Sequence, residues 1–447
     1  MVRLDAILLA CALAWGLQLP ASSAAAAPPS GLAGSVPVKA VAAPLEQGLI
    51  DVDGDGRYDL VGLDARRGVR VLFGNGTTQT VERAQLGDPE AAHTAFGAGF
   101  VVADLNADGY SDILLSDWTM NRRRGVVWAI WGSASGVSSG RTAVLLKGTD
   151  VHRPLGASLA FVPARQPVLA VGVKGLKHPG GIMLFRVGPT GRPGAHRFVT
   201  VGSAGVTGSW GPEVDFGGVL SASGDLLVVG AAKAGPKADG GAVWVFQLLP
   251  GLRYWVARIT RDTPGVPGRA EAGDAFGTDV SVLNDWVAVS APGQRVRGTE
   301  RRGAVQGFRV ERTGHGLRIH PGRVVTARNG GWATGLSDAP RARQVLVTWS
   351  MGDYGVVINA GPVQTWLTRG FQSDVGTAPL VSGTTFTLVR SPKSTQPGDD
   401  ATLEYDLPAV VNGSTITVGQ PGSVVERDAG SDSTWDASAA VFAAPAA

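Results

Sequence analysis

From residue 45 to residue 420 the chain is a succession of short apolar runs separated by turns rich in Gly, Asp and Asn. The clearest runs are Asp59-Leu-Val-Gly-Leu, Asp112-Ile-Leu-Leu-Ser, Val168-Leu-Ala-Val-Gly, Leu226-Leu-Val-Val-Gly, Trp286-Val-Ala-Val-Ser, Gln344-Val-Leu-Val-Thr and Phe386-Thr-Leu-Val-Arg. Their starts lie 53, 56, 58, 60, 58 and 42 residues apart. A later run of the form Gly-x-Val-x-x-Phe/Trp keeps pace with them, as in Gly68-Val-Arg-Val-Leu-Phe73, Gly125-Val-Val-Trp-Ala-Ile-Trp131 and Ala242-Val-Trp-Val-Phe246. In the seventh unit it is expected at 401–405. Short runs bounded by turn residues predict strands, and a fixed period makes the repeat the unit that folds.

A small sheet of three or four strands cannot bury both of its faces alone. Radial stacking of such sheets buries them and leaves only short, protected edges. The expected fold is therefore all-β, a seven-bladed β-propeller. No unit contains an amphipathic helical pattern of ten or more residues, which argues against a parallel βαβ fold. A pair of β-sandwiches is the other architecture that fits, but it does not account for evenly phased copies. The composition agrees with many tight turns: 64 glycines and only 17% charged residues.

The ends of the chain read differently. Residues 1–27 have the pattern of a secretory signal peptide: Arg3, an apolar stretch from Ala6 to Leu19, then small residues at 21–27. Residues 28–44 form a flexible lead-in, 45–420 the propeller and 421–447 a flexible C-terminal tail. The single cysteine, Cys11, lies inside the signal segment, so disulfides do not brace the mature protein. Leu8-Leu-Ala-Cys11 resembles a bacterial lipobox, which makes a lipid anchor the alternative to free secretion. No later stretch is long and apolar enough to span a membrane. The expected localisation is secreted and extracellular, and the expected state is a monomer.

Two stretches carry metal-ligand spacing. Asp104-Leu-Asn-Ala-Asp-Gly-Tyr-Ser-Asp112 offers side-chain oxygens from Asp104, Asn106, Asp108 and Asp112, and the backbone carbonyl of Tyr110. Asp51-Val-Asp-Gly-Asp-Gly-Arg-Tyr-Asp59 repeats this with Asp51, Asp53, Asp55 and Asp59, Arg57 standing at the carbonyl position. Calcium takes six to eight oxygens at about 2.3–2.6 Å. Unlike an EF-hand, each loop closes with Asp at its ninth position and runs into strand-like residues. The expectation is two structural Ca2+ sites in short loops between strands; a solvated Asp-rich turn is the plainer alternative for a single copy.

Phe96-Gly-Ala-Gly, Leu155-Gly-Ala-Ser, Phe216-Gly-Gly and Phe276-Gly-Thr, each leading toward a strand such as Val-Ala-Val-Ser-Ala-Pro (287–292), resemble FG-GAP repeats. Those repeats build the seven-bladed propeller of integrin α-subunits and of many secreted bacterial proteins. The resemblance spans roughly 45–420 and is degenerate in units three, six and seven, where Trp332-Ala-Thr-Gly stands in the sixth. It implies calcium between the first two strands of a blade, where both acidic loops fall, and none in the other five blades.

Catalytic signatures are few. The six histidines are scattered, there is no Gly-x-Ser-x-Gly elbow, and the mature chain lacks a cysteine nucleophile. Asp399-Asp400 and Glu404-Tyr-Asp406 are acid/base candidates that an exposed turn and an edge strand explain equally. The loops joining second to third strands are basic: Arg66 and Arg67; Arg122, Arg123 and Arg124; Lys174, Lys177 and His178; Lys233 and Lys237; Arg295, Arg297, Arg301 and Arg302. Strand alternation places them on one face, opposite the calcium loops, where they would attract polyanions; an Arg-rich solubilising surface explains them as well. The expected function is a binding or adhesion module for an extracellular protein or an anionic cell-envelope polysaccharide or polymer. The alternative is an extracellular hydrolase or lyase built on the propeller. Nucleic acid is disfavoured, because no interleaved aromatic platform accompanies the charge.

Overall fold

A computed structural model of the chain describes residues 50–326, except 57–58, 65–67, 74, 76, 88–94, 177–178, 209–213, 236, 297–299 and 302. Beyond 326 it describes nine strands by their backbone alone. All of this lies within one unit, 42–447. The predicted second strands are found at Leu60–Asp64, Asp112–Asp117, Val168–Val173, Leu226–Ala231, Trp286–Ala291, Gln344–Ser350 and Thr385–Val389.

Each second strand belongs to its own antiparallel sheet, and in the first six sheets the strands lie side by side in chain order. The second sheet runs Phe100–Ala103, Asp112–Asp117, Val126–Ile130, Thr142–Lys147. The third runs Leu155–Val162, Val168–Val173, Gly181–Val187, Pro193–Val199, and the fourth Val219–Ser223, Leu226–Ala231, Ala242–Leu249, Arg253–Ile259. The fifth and sixth repeat the order, while the first is three-stranded, Leu60–Asp64, Gly68–Leu72, Thr78–Glu82. In the seventh, Thr385–Val389 pairs with Ala378–Ser382 and with Ala440–Ala443, a strand from the stretch read as a tail. A separate hairpin, Ala409–Asn412 with Thr415–Val418, lies against the first and sixth sheets through its first strand and against the seventh through its second. The architecture is an all-β propeller, compatible with the seven units read from the sequence. The run expected at 401–405 lies outside the described residues.

The apolar runs are continuous because both faces of each sheet are covered. Successive side chains of a strand point to opposite faces. In the fourth sheet, Leu227 and Val229 pack with Ile182 and Leu184 of the third sheet, whereas Leu226 and Val228 pack with Val287 and Val289 of the fifth. In the second sheet Ile113 and Leu115 join Val69 and Val71 of the first, and Leu114 joins Leu169 and Val171 of the third. Each such aliphatic side chain contributes about 1.5–3 kcal/mol when fully buried. No single sheet has enough surface to do this alone.

The Phe-Gly motifs are the seams between sheets. Phe96, Phe216 and Phe276 are buried and meet an aromatic of their own sheet's third strand. These pairs are Phe96–Trp128 at 6.1 Å, Phe216–Trp244 at 5.0 Å and Phe276–Phe308 at 6.2 Å between ring centroids. Gly217 and Gly277, which follow two of these phenylalanines, press their carbonyls onto the preceding sheet. A Cβ on Gly230 would stand 2.4 Å from the carbonyl oxygen of Gly277, so the fifth residue of that second strand has no room for a side chain. Where the second sheet carries Ser116 at that position, its hydroxyl donates to the Gly156 carbonyl at 2.8 Å.

Candidate functional site

Both acidic loops form at the leading end of a second strand, opposite the second-to-third hairpins. In the first, Asp51 Oδ1 accepts from Gly54 N–H at 2.7 Å and Oδ2 from Gly56 N–H at 2.9 Å. Asp59 Oδ2 accepts from Val52 N–H at 2.6 Å. Asp51 and Asp59 are buried, Asp53 is half-buried and Asp55 is exposed. Carboxylate oxygens of Asp51, Asp53 and Asp59 lie within 4.8 Å of one another. Two donors on opposite sides of one cation, each about 2.4 Å away, are about that far apart. Among the described residues this is the one group of three or more His, Cys, Asp or Glu side chains so close together. Arg57, read as the carbonyl donor, lies outside the described residues.

The second loop repeats the frame. Asp104 accepts from Asp108 N–H at 3.1 Å and from Gly109 N–H at 2.9 Å. Asp112 Oδ2 accepts from Leu105 N–H at 3.0 Å, as Asp59 does from Val52, and its Oδ1 accepts from Gly132 N–H at 3.0 Å. The Asn106 amide donates to Asp108 Oδ2 at 2.9 Å, which turns those two side chains toward each other. Burial, partly opposed by the Leu105 and Gly132 N–H groups, pushes the Asp112 carboxyl up to about 7, and the negative Asp108 and Asp104 add to the rise. Burial also raises Asp104, and in the first loop Asp53. These loops concentrate negative charge where ionisation is costly. An all-oxygen donor set of this kind suits a hard cation, which removes the cost.

On the opposite end, Met120–Arg123 forms one turn with Asn121, Arg122 and Arg123 at φ of 53°, 58° and 60°. Three successive non-glycine residues in the left-handed region cost about 1–2 kcal/mol each. The turn is held from several sides. Asp117 Oδ1 accepts from Thr119 N–H at 2.7 Å, Asn121 Nδ2 donates to the Gly148 carbonyl at 2.9 Å, and Arg124 N–H donates to the Met120 carbonyl at 3.0 Å. Arg122 and Arg123 project into solvent, and neither meets a carboxylate among the described residues.

Two of the remaining basic residues have acidic neighbours. Lys174 pairs with Asp215 at 3.3 Å, and Arg295 approaches Glu271 at 3.8 Å. Asp215 and Glu271 come from the connections between one sheet's last strand and the next sheet's first, which emerge on the same end as the basic hairpins. Lys233 and Lys237 are exposed. Arg301 is placed by its backbone, paired with Arg295 in a two-residue ladder. Arg66, Arg67, Lys177, His178, Arg297 and Arg302 lie outside the described residues.

Sequence reasoning missed the groups that frame these sites. Ser111 and the Gly132 N–H adjoin the acidic loops from positions that carry no metal-ligand signal of their own. The left-handed turn has no glycine at 121–123 to announce it.

Residues 51–115 match the family model described as FG-GAP-like repeat. No curated protein matches the chain in sequence. Among solved structures the chain is similar to the periplasmic gluconolactonase of Pseudomonas aeruginosa, at 14% identity and a TM-score of 0.45, over 81% of this chain and 99% of that one. It is also similar to the β-propeller domain of Cps50 (Swd1) from Myceliophteria thermophila, at 9% identity and a TM-score of 0.41, over 77% and 94% of the two chains. The Dos1 propeller is similar at 10% identity and a TM-score of 0.43, over 76% and 79%. The family model covers both acidic loops and the first of the Phe-Gly motifs, Phe96-Gly97, and the described sheets have the propeller architecture that the FG-GAP resemblance implies.

Proposed function

We propose that this propeller is a secreted binding module that holds two calcium ions and recognises an anionic extracellular ligand through the Arg122–Arg123 turn. The observation that carries the ligand reading is the pair of exposed guanidiniums without a carboxylate partner among the described residues, on a turn whose conformation is costly and over-determined. Backbone strain of this kind persists where surrounding structure enforces it and clusters at functional sites. Guanidinium supplies a planar fork matched to carboxylate or phosphate. A polymer bearing such groups on an extracellular surface is the ligand this chemistry fits best.

The test is retention of the full chain on immobilised polyanions, a glycerol-phosphate polymer and a polyuronate, across a salt gradient. Arg122→Glu with Arg123→Glu should weaken retention about tenfold, equivalent to about 1.4 kcal/mol. Reversing Lys174, which already pairs with Asp215, should change it far less. Retention by the double variant equal to that of the unaltered chain would rule the reading out.

Calcium is assigned a structural role. The donors would be Asp51, Asp53, Asp55 and Asp59 in one loop, and Asp104, Asn106, Asp108 and Asp112 with the Tyr110 carbonyl in the other. A cation there offsets the mutual repulsion of the carboxylates and fixes the turn that leads into each second strand. Binding to the folded state alone adds about 2.7 kcal/mol per site when free ion is a hundred times Kd. Thermal melts with calcium and with EDTA should therefore separate, and Asp53→Ala should shrink the calcium-dependent gain while leaving the EDTA melt nearly unchanged. An equal loss in EDTA would show that Asp53 acts without a metal.

A further inference from the structure

We infer that the two acidic loops take up calcium as a coupled pair, with positive cooperativity, through a clasp centred on Ser111; this rests on the calcium reading above. Ser111 lies between Tyr110 and Asp112, the seventh and ninth residues of the second loop, and is almost fully buried. It grips the first residue of the other loop in both directions. The Asp51 N–H donates to Ser111 Oγ at 3.0 Å, and the Ser111 N–H donates to the Asp51 carbonyl at 2.7 Å.

Two further contacts tie the loops together. The Tyr110 ring covers the first loop at Gly54, where an added Cβ would stand 2.5 Å from Tyr110 Cε1. Gly54 has a φ of 72°, so the turn that carries Asp53 and Asp55 is shaped under that ring. The Gly132-Ser133 step then bridges both loops: Gly132 N–H donates to Asp112 Oδ1 at 3.0 Å, and Ser133 N–H donates to the Val52 carbonyl at 3.0 Å. The backbone of one loop's first ligand and the ninth ligand of the other are therefore held by shared, buried elements.

Coupling follows from who bears the ordering cost. A cation on the second loop must fix Tyr110 and Asp112, and with them Ser111, Asp51 and the cover over Gly54. The next cation then meets a first loop whose backbone is already set, so its binding costs less ordering entropy. Electrostatics acts in the opposite sense, because a loaded loop attracts a second dication less than an empty one does. Salt weakens that effect, though less for buried carboxylates such as Asp51, Asp59 and Asp112, whereas the clasp acts directly at hydrogen-bond distance. The loops also remain acidic when loaded, since the first carries four carboxylates and the second three. The inferred coupling takes the ordering term as the larger, and linkage requires the factor to be the same in both directions.

The experiment is calorimetric titration of the full, metal-stripped chain with calcium chloride. Asp108→Ala, which disables the second loop, should weaken calcium at the first by about fivefold or more, the lower range of allosteric coupling. Asp53→Ala should weaken the second loop by the same factor. Ser111→Ala keeps every ligand; in that background each knockout should leave the other site unchanged. Should Ser111→Ala fail to give a folded far-ultraviolet spectrum, Tyr110→Leu serves instead, because the Tyr110 ligand is its carbonyl. Two sites that keep their affinity within twofold in both knockouts overturn the coupling and leave the calcium reading intact. No calcium uptake by the unaltered chain overturns both.

Discussion

Replacing Gly241 by alanine is expected to destabilise the protein by about 2–5 kcal/mol, the sum of a left-handed penalty and an overpacking penalty. Gly241 opens into the third strand of the fourth sheet with a φ of 80°. A Cβ there would stand 2.0 Å from the carbonyl oxygen of Phe276 and 2.3 Å from its nitrogen. Neither atom can retreat. Phe276 is fully buried against Phe308, and the following Gly277 N–H is already committed to the Ser290 carbonyl at 2.8 Å. Gly224→Ala is the control, because Gly224 has a φ of 59° and nothing within 4 Å of the added methyl. It should cost only the left-handed penalty, about 1–2 kcal/mol. Urea unfolding of the two variants separates the effects: if Gly241→Ala loses no more than Gly224→Ala, the fourth and fifth sheets do not approach as closely as described.

That seam explains which parts of the fold were legible in the sequence. Leu226-Leu-Val-Val-Gly230 announces a strand whose two faces are both covered, and its terminal glycine marks where the next sheet's carbonyl arrives. The acidic loops were legible because metal-ligand spacing is local: Asp51 to Asp59 and Asp104 to Asp112 each lie within one turn and the start of one strand. What was hidden depends on contacts between units. Ser111 and Asp51 are 60 residues apart, and nothing near Ser111 marks it as the partner. The acidic partner of Lys174 was hidden for the same reason. Asp215 lies 41 residues beyond the Lys174 that it neutralises, in a connection that shares its end of the sheets only through strand alternation. The turn at Asn121–Arg123 was invisible because its handedness is imposed by Asp117, Thr119 and Gly148 rather than chosen by its own residues.

A second large effect is expected at the connection between the fourth and fifth sheets, where a salt bridge is removed from water. Arg261 and Asp274 have side chains only 6% and 1% exposed, and Arg261 Nη1 donates to Asp274 Oδ2 at 2.9 Å. The arginine also donates to the Pro267 carbonyl at 3.1 Å, and the same aspartate oxygen accepts from the Glu271 N–H at 2.8 Å. The pair therefore pins residues 261–274 into the shape that delivers Phe276-Gly277 to its seam. Asp274→Ala should cost about 3–5 kcal/mol, because it leaves a guanidinium buried without its counter-charge. Replacing both residues, as Arg261→Met with Asp274→Leu, should cost much less than the sum of the single changes, since neither desolvated charge then remains. Thermal or urea unfolding of the two single variants and the double closes the cycle. Single losses that simply add would show that the backbone alone holds the connection. A strongly sub-additive double would show that the charges hold each other in place, and that the seam is delivered by an ion pair a hydrophobic pair can replace.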